Sequence, residues 1–292
     1  MSAIYGAIEA GGTKFICGLG SSPDDLQLCR VPTTTPEETL SQVLGFFTQH
    51  KITMKALGVA SFGPVDLNKK SASYGSITST PKPGWANTDL VGVLSSRLEI
   101  PVGVDTDVNG AALGESVWGS GQGLTDFIYL TVGTGIGGGV MVNGELLHGL
   151  VHPELGHIFL PQRPDDKYSG KCPFHANQCF EGLASGPAMA ERWGVAAENL
   201  PENHEAWKMQ AWYLARAICS LVCSYSPQRI ILGGGVMEQE GLLPMVRREV
   251  LSALNGYVQH EAILNNIESY IVPPGLGNRA GVVGALELAK RA

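Results

Sequence analysis

Apolar residues near the start of the chain come in short runs separated by glycine turns. Residues 3–8 are apolar, Glu9-Ala10-Gly11-Gly12-Thr13-Lys14 interrupts them, and residues 15–19 are apolar again. Run, turn and run predict two strands joined by a tight hairpin. The pattern returns at 127–142, where FIYLTV leads into GTGIGGG and then VMV. A third glycine cluster, Gly233-Gly234-Gly235, follows the strand-like RIIL at 229–232. Pro101 followed by VGVD predicts a short strand that ends at an acidic turn. Periodicity and capping residues predict helices at 36–50, 87–98, 107–117, 185–194, 204–225, 240–255 and 280–291. In the longest of these, Trp207, Trp212, Leu214, Ile218 and Leu221 read as the core face.

Two similar hairpins at the heads of two half-chains predict a duplicated α/β architecture with a cleft between the halves. The boundary falls best in the glycine-rich stretch 119–123, which could also serve as a hinge. This gives a first domain over 1–118 and a second over 119–280.

Composition narrows the function classes. The chain has 292 residues, 44% hydrophobic and 16% charged, enough for two modest domains. Its net charge is -7 and no run of Lys or Arg stands out, which disfavours nucleic acid as a partner. No apolar stretch approaches a membrane span, and MSAIYGAIEAGG has neither a basic leader nor a signal core. A cytoplasmic protein with no membrane partner is expected.

The glycine turns carry the first candidate chemistry. GTGIGG at 133–138 matches G-x-G-x-x-G formally, but it runs into a strand, whereas a dinucleotide fingerprint must open a helix. No G-x-x-x-x-G-K-[ST] occurs, which excludes a P-loop. Hairpin glycines can simply make tight turns, or their N–H groups can cradle phosphate oxygens. Two Gly-Thr hairpins and a third cluster favour phosphate. At 105–109, Asp-Thr-Asp-Val-Asn lies between a strand and a helix. Its acids read equally as helix caps and as carboxylates aimed at a ligand crevice.

The segment from His157 to Glu181 carries the second. It orders His157, Cys172, His175 and Cys179 within a polar loop rich in Gly, Pro, Asp and Lys. Two thiols and two imidazoles fill a tetrahedral zinc site completely, so a structural Zn²⁺ is expected. Glu154 and Glu181 bracket the segment as hydroxyl acceptors. Cys17, Cys29, Cys219 and Cys223 read as ordinary core thiols. His148 and His152 lie near these motifs and read as structural. His50, His204 and His260 need no role. Trp85, in the rigid loop PKPGW, is a candidate wall for a ligand pocket.

Together, EAGGTKF near the start, TDVNGAALGE, TVGTGIGGG, PELGH, the Cys/His cluster, CFEGLASG and LGGGV resemble the ROK sugar-kinase family across nearly the whole chain. The H-x14-C-x2-H-x3-C pattern and EAGGTKF resemble its bacterial fructokinase branch. The resemblance implies an actin-like (ribonuclease H-like) fold of two α/β domains, with the C-terminal helix, about 281–292, packed back on the first. It implies ATP with Mg²⁺, and a hexose, most simply D-fructose converted to fructose 6-phosphate. Asp107 matches the general base. Gly11, Gly12, Thr13 and Lys14 match the first phosphate loop, and Gly133, Thr134 and Gly135 the second. Pro187 and Gly233, Gly234, Gly235 and Val236 match further ATP contacts. Asp107, Asn109, Glu154, His157 and Glu181 match sugar contacts, and a homodimer is implied. Mannose, glucose or an N-acetylhexosamine stay open as substrates. A non-catalytic sugar sensor fits less well, because related repressors carry an N-terminal DNA-binding helix-turn-helix. Glu9 stands where most members have Asp, which affects placement of the magnesium shell. His175 stands where many members have a cysteine ligand.

Overall fold

The computed structural model describes residues 3–50 and 54–292, which divide into two compact units. The first comprises the chain to Gly123, Leu146–His152 and Gly275–Ala292; the second comprises Leu124–Glu145 and Pro153–Pro274.

The first unit opens with β1 (Ile4–Ala10), β2 (Lys14–Gly20) and β3 (Gln27–Pro32), an antiparallel meander. Helix α1 (Pro36–Thr48) follows. Its Thr35 cap accepts from Glu38 N, Pro36 occupies the first turn, and Glu37 and Glu38 face the positive end of the helix dipole. Strand β4 (Met54–Ser61) returns parallel to β1. A small ribbon, β5 (Ser76–Ile77) with β6 (Thr88–Asp89), leads to α2 (Leu90–Leu98), which Asp89 caps. Strand β7 (Val102–Thr106) pairs parallel with β4 and runs directly into α3 (Asp107–Trp118). The sheet order is β3-β2-β1-β4-β7.

In the second unit, β8 (Phe127–Val132) and β9 (Ile136–Val142) form the second hairpin, with β10 (Glu145–Leu146), where the chain leaves this unit, at the sheet edge. Helices α4 (Phe180–Ala184), α5 (Gly186–Trp193) and α6 (Glu205–Tyr225) follow, then β11 (Arg229–Gly233), parallel to β8. Helix α7 (Leu242–Leu254), the short α8 (Glu261–Leu264) and α9 (Ile267–Tyr270), and β12 (Ile271–Val272) complete it. The order β10-β9-β8-β11-β12 repeats the antiparallel-then-parallel plan of the first sheet.

Helix α10 (Ala280–Lys290) belongs to the first unit and lies on α3, β1 and β4. The approach is close because glycines meet there. A Cβ on Gly284 would stand 1.6 Å from Gly110 O, and one on Gly58 1.8 Å from Ala285 O. Ala7, Ala60, Leu113, Val282, Ala285 and Leu286 fill the interface. Bulkier side chains at the glycines would push the helix off the sheet.

Two sequence expectations change here. Trp85 is fully buried between Phe15 and Phe62, and its Nε1 donates to Thr34 O at 2.8 Å. It is a core anchor of the first unit, because its indole N–H finds a backbone acceptor inside. Cys17 is buried as expected, but Cys29 and Cys219 are half-buried and Cys223 is exposed on α6. Cys219 and Cys223 are four positions apart, so they share a face of α6, and that face runs out to its edge. His204 and His260, given no role from sequence, cap α6 and α8 by accepting from Ala206 N and Ala262 N.

Candidate active site

Parallel pairing sets the candidate groups of the first unit on one sheet edge. Ala10 pairs with Ser61, and Ser61 pairs with Thr106. The turn after β1 and the start of α3 therefore leave the carboxyl edge of the same sheet, about 10 Å apart across two strand spacings. That edge is where α/β sheets hold ligands. In the turn, Gly11 N donates to Lys14 O at 3.0 Å, and Thr33 Oγ1 donates to Gly11 O at 2.7 Å. Gly12, Thr13 and Lys14 are exposed, and nothing of the protein stands within 4 Å of a Cβ built on Gly12. The space over the turn is open to a phosphate.

Asp107 is half-buried in the first turn of α3, where Val108 N donates to its Oδ1 at 2.9 Å. The cap of this helix is Thr106, whose hydroxyl accepts from Asn109 N at 3.2 Å. Capping is thus done by the threonine, and both acids are left for other work. Asp105 is buried, and its Oδ1 accepts from Thr106 N and from Asn109 Nδ2, at 2.8 and 2.7 Å. Its Oδ2 lies 2.9 Å from His148 Nε2. Asn109, expected among the sugar contacts, is 1% exposed. The structure puts it behind Asp105 as a support, because the helical turn aims position 109 back into the unit. Glu9 is pressed against Gly281 of α10. Burial pushes its carboxyl up, against the opposing pulls of Lys14 and the Val282 backbone.

The second unit builds its site around Glu181. The β8–β9 turn is tied by Gly133 N to Gly135 O at 2.9 Å, and Gly186 N donates to Gly133 O at 2.8 Å. Glu181, in the first turn of α4, accepts from Ile136 N at 2.9 Å. A Cβ on Gly135 would stand 2.8 Å from the same carboxylate oxygen, so glycine lets the turn close over it. Gly234, at φ +94, comes so near Val132 that a Cβ would stand 2.4 Å from its carbonyl oxygen. A Cβ on Gly186, the neighbour of Pro187, would be 3.6 Å from Val236. The turn at 133–135, the loop at 186–187 and the cluster at 233–236 therefore meet at one edge of the second sheet. Nothing blocks the space over Gly133 or Gly235.

The Glu181 carboxylate also reaches the metal-ligand set, with its Oε1 4.0 Å from His157 Nε2. The other ring nitrogen faces the thiols: His157 Nδ1 is 3.8 Å from both Cys172 Sγ and Cys179 Sγ. Cys172 Sγ lies 3.6 Å from His175 Nδ1. All four donor atoms lie within 4.8 Å of one another. Ordinary zinc–sulfur and zinc–nitrogen lengths at tetrahedral angles put S and N about 3.6 Å apart. The residues present fit a four-coordinate zinc ion. Burial pushes the Cys179 thiol up to about 11, and a cation between the donors reverses that sign. Glu154 is exposed, and His157 N donates to its backbone carbonyl at 2.9 Å. The far end of the loop is fixed by Asp166, buried against Arg192 at 3.1 Å and accepting from Tyr213 Oη at 2.6 Å.

Sequence reasoning read Asp105 only as one of the acids at 105–109 and His148 only as structural; it missed their bond to each other and the carboxylate of Glu115. Glu115 is fully buried and accepts from Ser120 N at 2.6 Å and from Gly275 N and Leu276 N, both at 2.9 Å. It holds together the two stretches where the chain passes between the units. Only an acid inside an Ala/Gly-rich helix gave a signal for it.

The family model described as "ROK family" matches residues 5–292. A fructokinase of Zymomonas mobilis is 47% identical over 294 residues, covering 98% of this chain and 96% of that protein. A fructokinase of Pediococcus pentosaceus is 43% identical, covering 99% and 98%. A ROK glucokinase of Streptomyces griseus, solved with glucose and AMPPNP, superposes with a TM-score of 0.77 at 25% identity, covering 99% of this chain and all of that one (100%). With the repeated sheet plan and the matched motifs, the chain belongs to the ROK family.

Proposed function

We propose that the chain is an ATP-dependent fructokinase that makes fructose 6-phosphate. The observation that carries this reading is the common carboxyl edge of Asp107 and the Gly11–Lys14 turn, a carboxylate beside an open anion cradle. The full-length likeness to fructokinases supports the choice of sugar.

A sugar hydroxyl is a poor nucleophile, and Asp107 accepts its proton as it attacks the γ-phosphorus. The bond from that phosphorus to the β–γ bridging oxygen breaks, and ADP leaves. The phosphates are held by N–H groups of the turns at 11–14 and 133–135, with Thr13, Lys14 and Thr134 as further donors. Residues Pro187 and Gly233 to Val236 border the adenosine. Mg²⁺ bound with ATP neutralises phosphate charge. Glu154, His157 and Glu181 take ring hydroxyls, with Asn109 supporting the acidic end of α3. Carboxylate acceptors suit this task, since their hydrogen bonds to hydroxyls are charge-assisted. His157, Cys172, His175 and Cys179 would hold one zinc ion. With four protein ligands it has no open position, and its contribution is to order the loop. The same reading places the enzyme in the cytoplasm as a homodimer.

A coupled ADP-release assay across fructose, mannose, glucose and N-acetylhexosamines tests the proposal. Fructose should give the highest kcat/KM. Absence of turnover on every sugar removes the kinase reading, and a glucose preference removes only the substrate.

A further inference from the structure

Residues Leu146–His152 belong to the first unit, although the chain on either side of them belongs to the second. Two histidines hold them there. His152 is buried and its Nε2 accepts from Val65 N at 3.4 Å. His148 works in the opposite sense. Its Nε2 donates to the Asp105 carboxylate at 2.9 Å. With the ring protonated this contact is a charge-assisted ion pair. Asp105 is itself aligned by Asn109 Nδ2 at 2.7 Å and Thr106 N at 2.8 Å. Leu146 packs against the apolar cluster under α10, but between the two histidines Leu150 and Val151 are fully or largely exposed, so apolar burial does not hold that stretch. Two residues beyond His152 the chain reaches Glu154, and then His157.

We propose that His148 is a positioning residue for sugar binding, an imidazolium staple that fastens 146–152 to Asp105 and so fixes the start of the chain that carries Glu154 and His157. The proposal rests on the assignment of those two residues to the sugar. The titratable groups on this staple are Asp105 from β7 and, acting on Asp105, Tyr74 from the turn before β5, which burial and Asp105 keep protonated. The bond to Asp105 holds His148 above its usual value, against a partial opposing effect of burial. A raised histidine keeps its proton-dependent hold below the unfolded value and loses it as pH rises through the raised one. The staple is therefore closed at pH 6 and opens on the alkaline side.

The tests are steady-state kinetics with saturating MgATP and hydrogen exchange of the free protein, both from pH 6 to pH 9. For the wild type, KM for fructose should rise toward high pH with little change in kcat. His148→Gln should raise KM at pH 6 by about tenfold, the loss of one charge-assisted bond, and flatten its pH dependence. An unchanged KM in the variant, or a KM that still climbs with pH, overturns the proposal. Exchange in 146–152 of the wild type should speed up with pH beyond the intrinsic chemical rate. Uniform protection across the range also overturns it, whether or not the variant folds. Wild-type protein that phosphorylates no sugar refutes the sugar-kinase reading instead, and the exchange measurement still decides whether the staple exists.

Discussion

The acidic start of α3 in the first unit and the Cys/His loop of the second solve one problem by different means. Each must hold polar side chains still without a large apolar cover. The first unit uses carboxylates: Asp105 fixes Asn109 and His148, and Glu115 gathers three backbone N–H groups. The second unit gathers two thiols and two imidazoles from a loop of low regularity, within 4.8 Å of one another. A carboxylate serves where a helix and a sheet already supply rigid donors. A loop with little regular structure needs a stronger centre, and the proposed zinc, with four protein ligands, would supply it. Under the proposed function the difference is a division of labour, with chemistry in the first unit and shape in the second.

The strongest test of that division is Asp107→Asn. It should lower kcat about a thousandfold while fructose still binds, read by steady-state kinetics and calorimetry. An active variant would take the chemistry away from the first unit. Metal removal comes next. Elemental analysis should find about one zinc per chain, and Cys172→Ser or a strong chelator should release it. The melting temperature should then fall by several degrees, with faster exchange in 157–181. Metal-free protein of unchanged stability would erase the contrast. Glu115→Ala leaves three N–H groups without their acceptor and should cost about 3 kcal/mol in urea unfolding. A cost below about 0.5 kcal/mol would show that the crossings do not depend on the carboxylate. The smallest effect belongs to His148→Gln, whose tenfold change in KM asks whether the carboxylate network reaches the sugar.

The two sites also differed in how far the sequence disclosed them. The metal set was readable because Cys and His are uncommon, and three of the four stand within eight positions, 172–179. The pair of Asp105 and His148 is separated by 43 positions, and neither residue alone marks a function. Both hairpins and the long helices were legible from their periodicity and turns. Strand β4 was not. Met54–Ser61 reads MKALGVAS, with small residues and no polar alternation, because both faces of that strand are covered. Trp85 misled for a related reason. A tryptophan beside Pro and Gly suggests an exposed loop, and only the backbone acceptor at Thr34 shows that its ring can be buried.

What the sequence determined by itself is the family, the repeated hairpin plan, the base candidate Asp107 and the four candidate metal ligands. These depend on local order, the 2.0 and 3.6 periods and the chemistry of scarce side chains. Tertiary structure decided that Thr106 and neither acid caps α3, why Asn109 stands behind Asp105, and that one glutamate serves both the Gly135 turn and His157. It also decided that seven residues from the second half of the chain, 146–152, are held by the first unit. Such pairings come from strands and helices brought together across long stretches of chain. Their bonds form only when folding has already met the entropy cost of closing those loops, and no local pattern of residues records them.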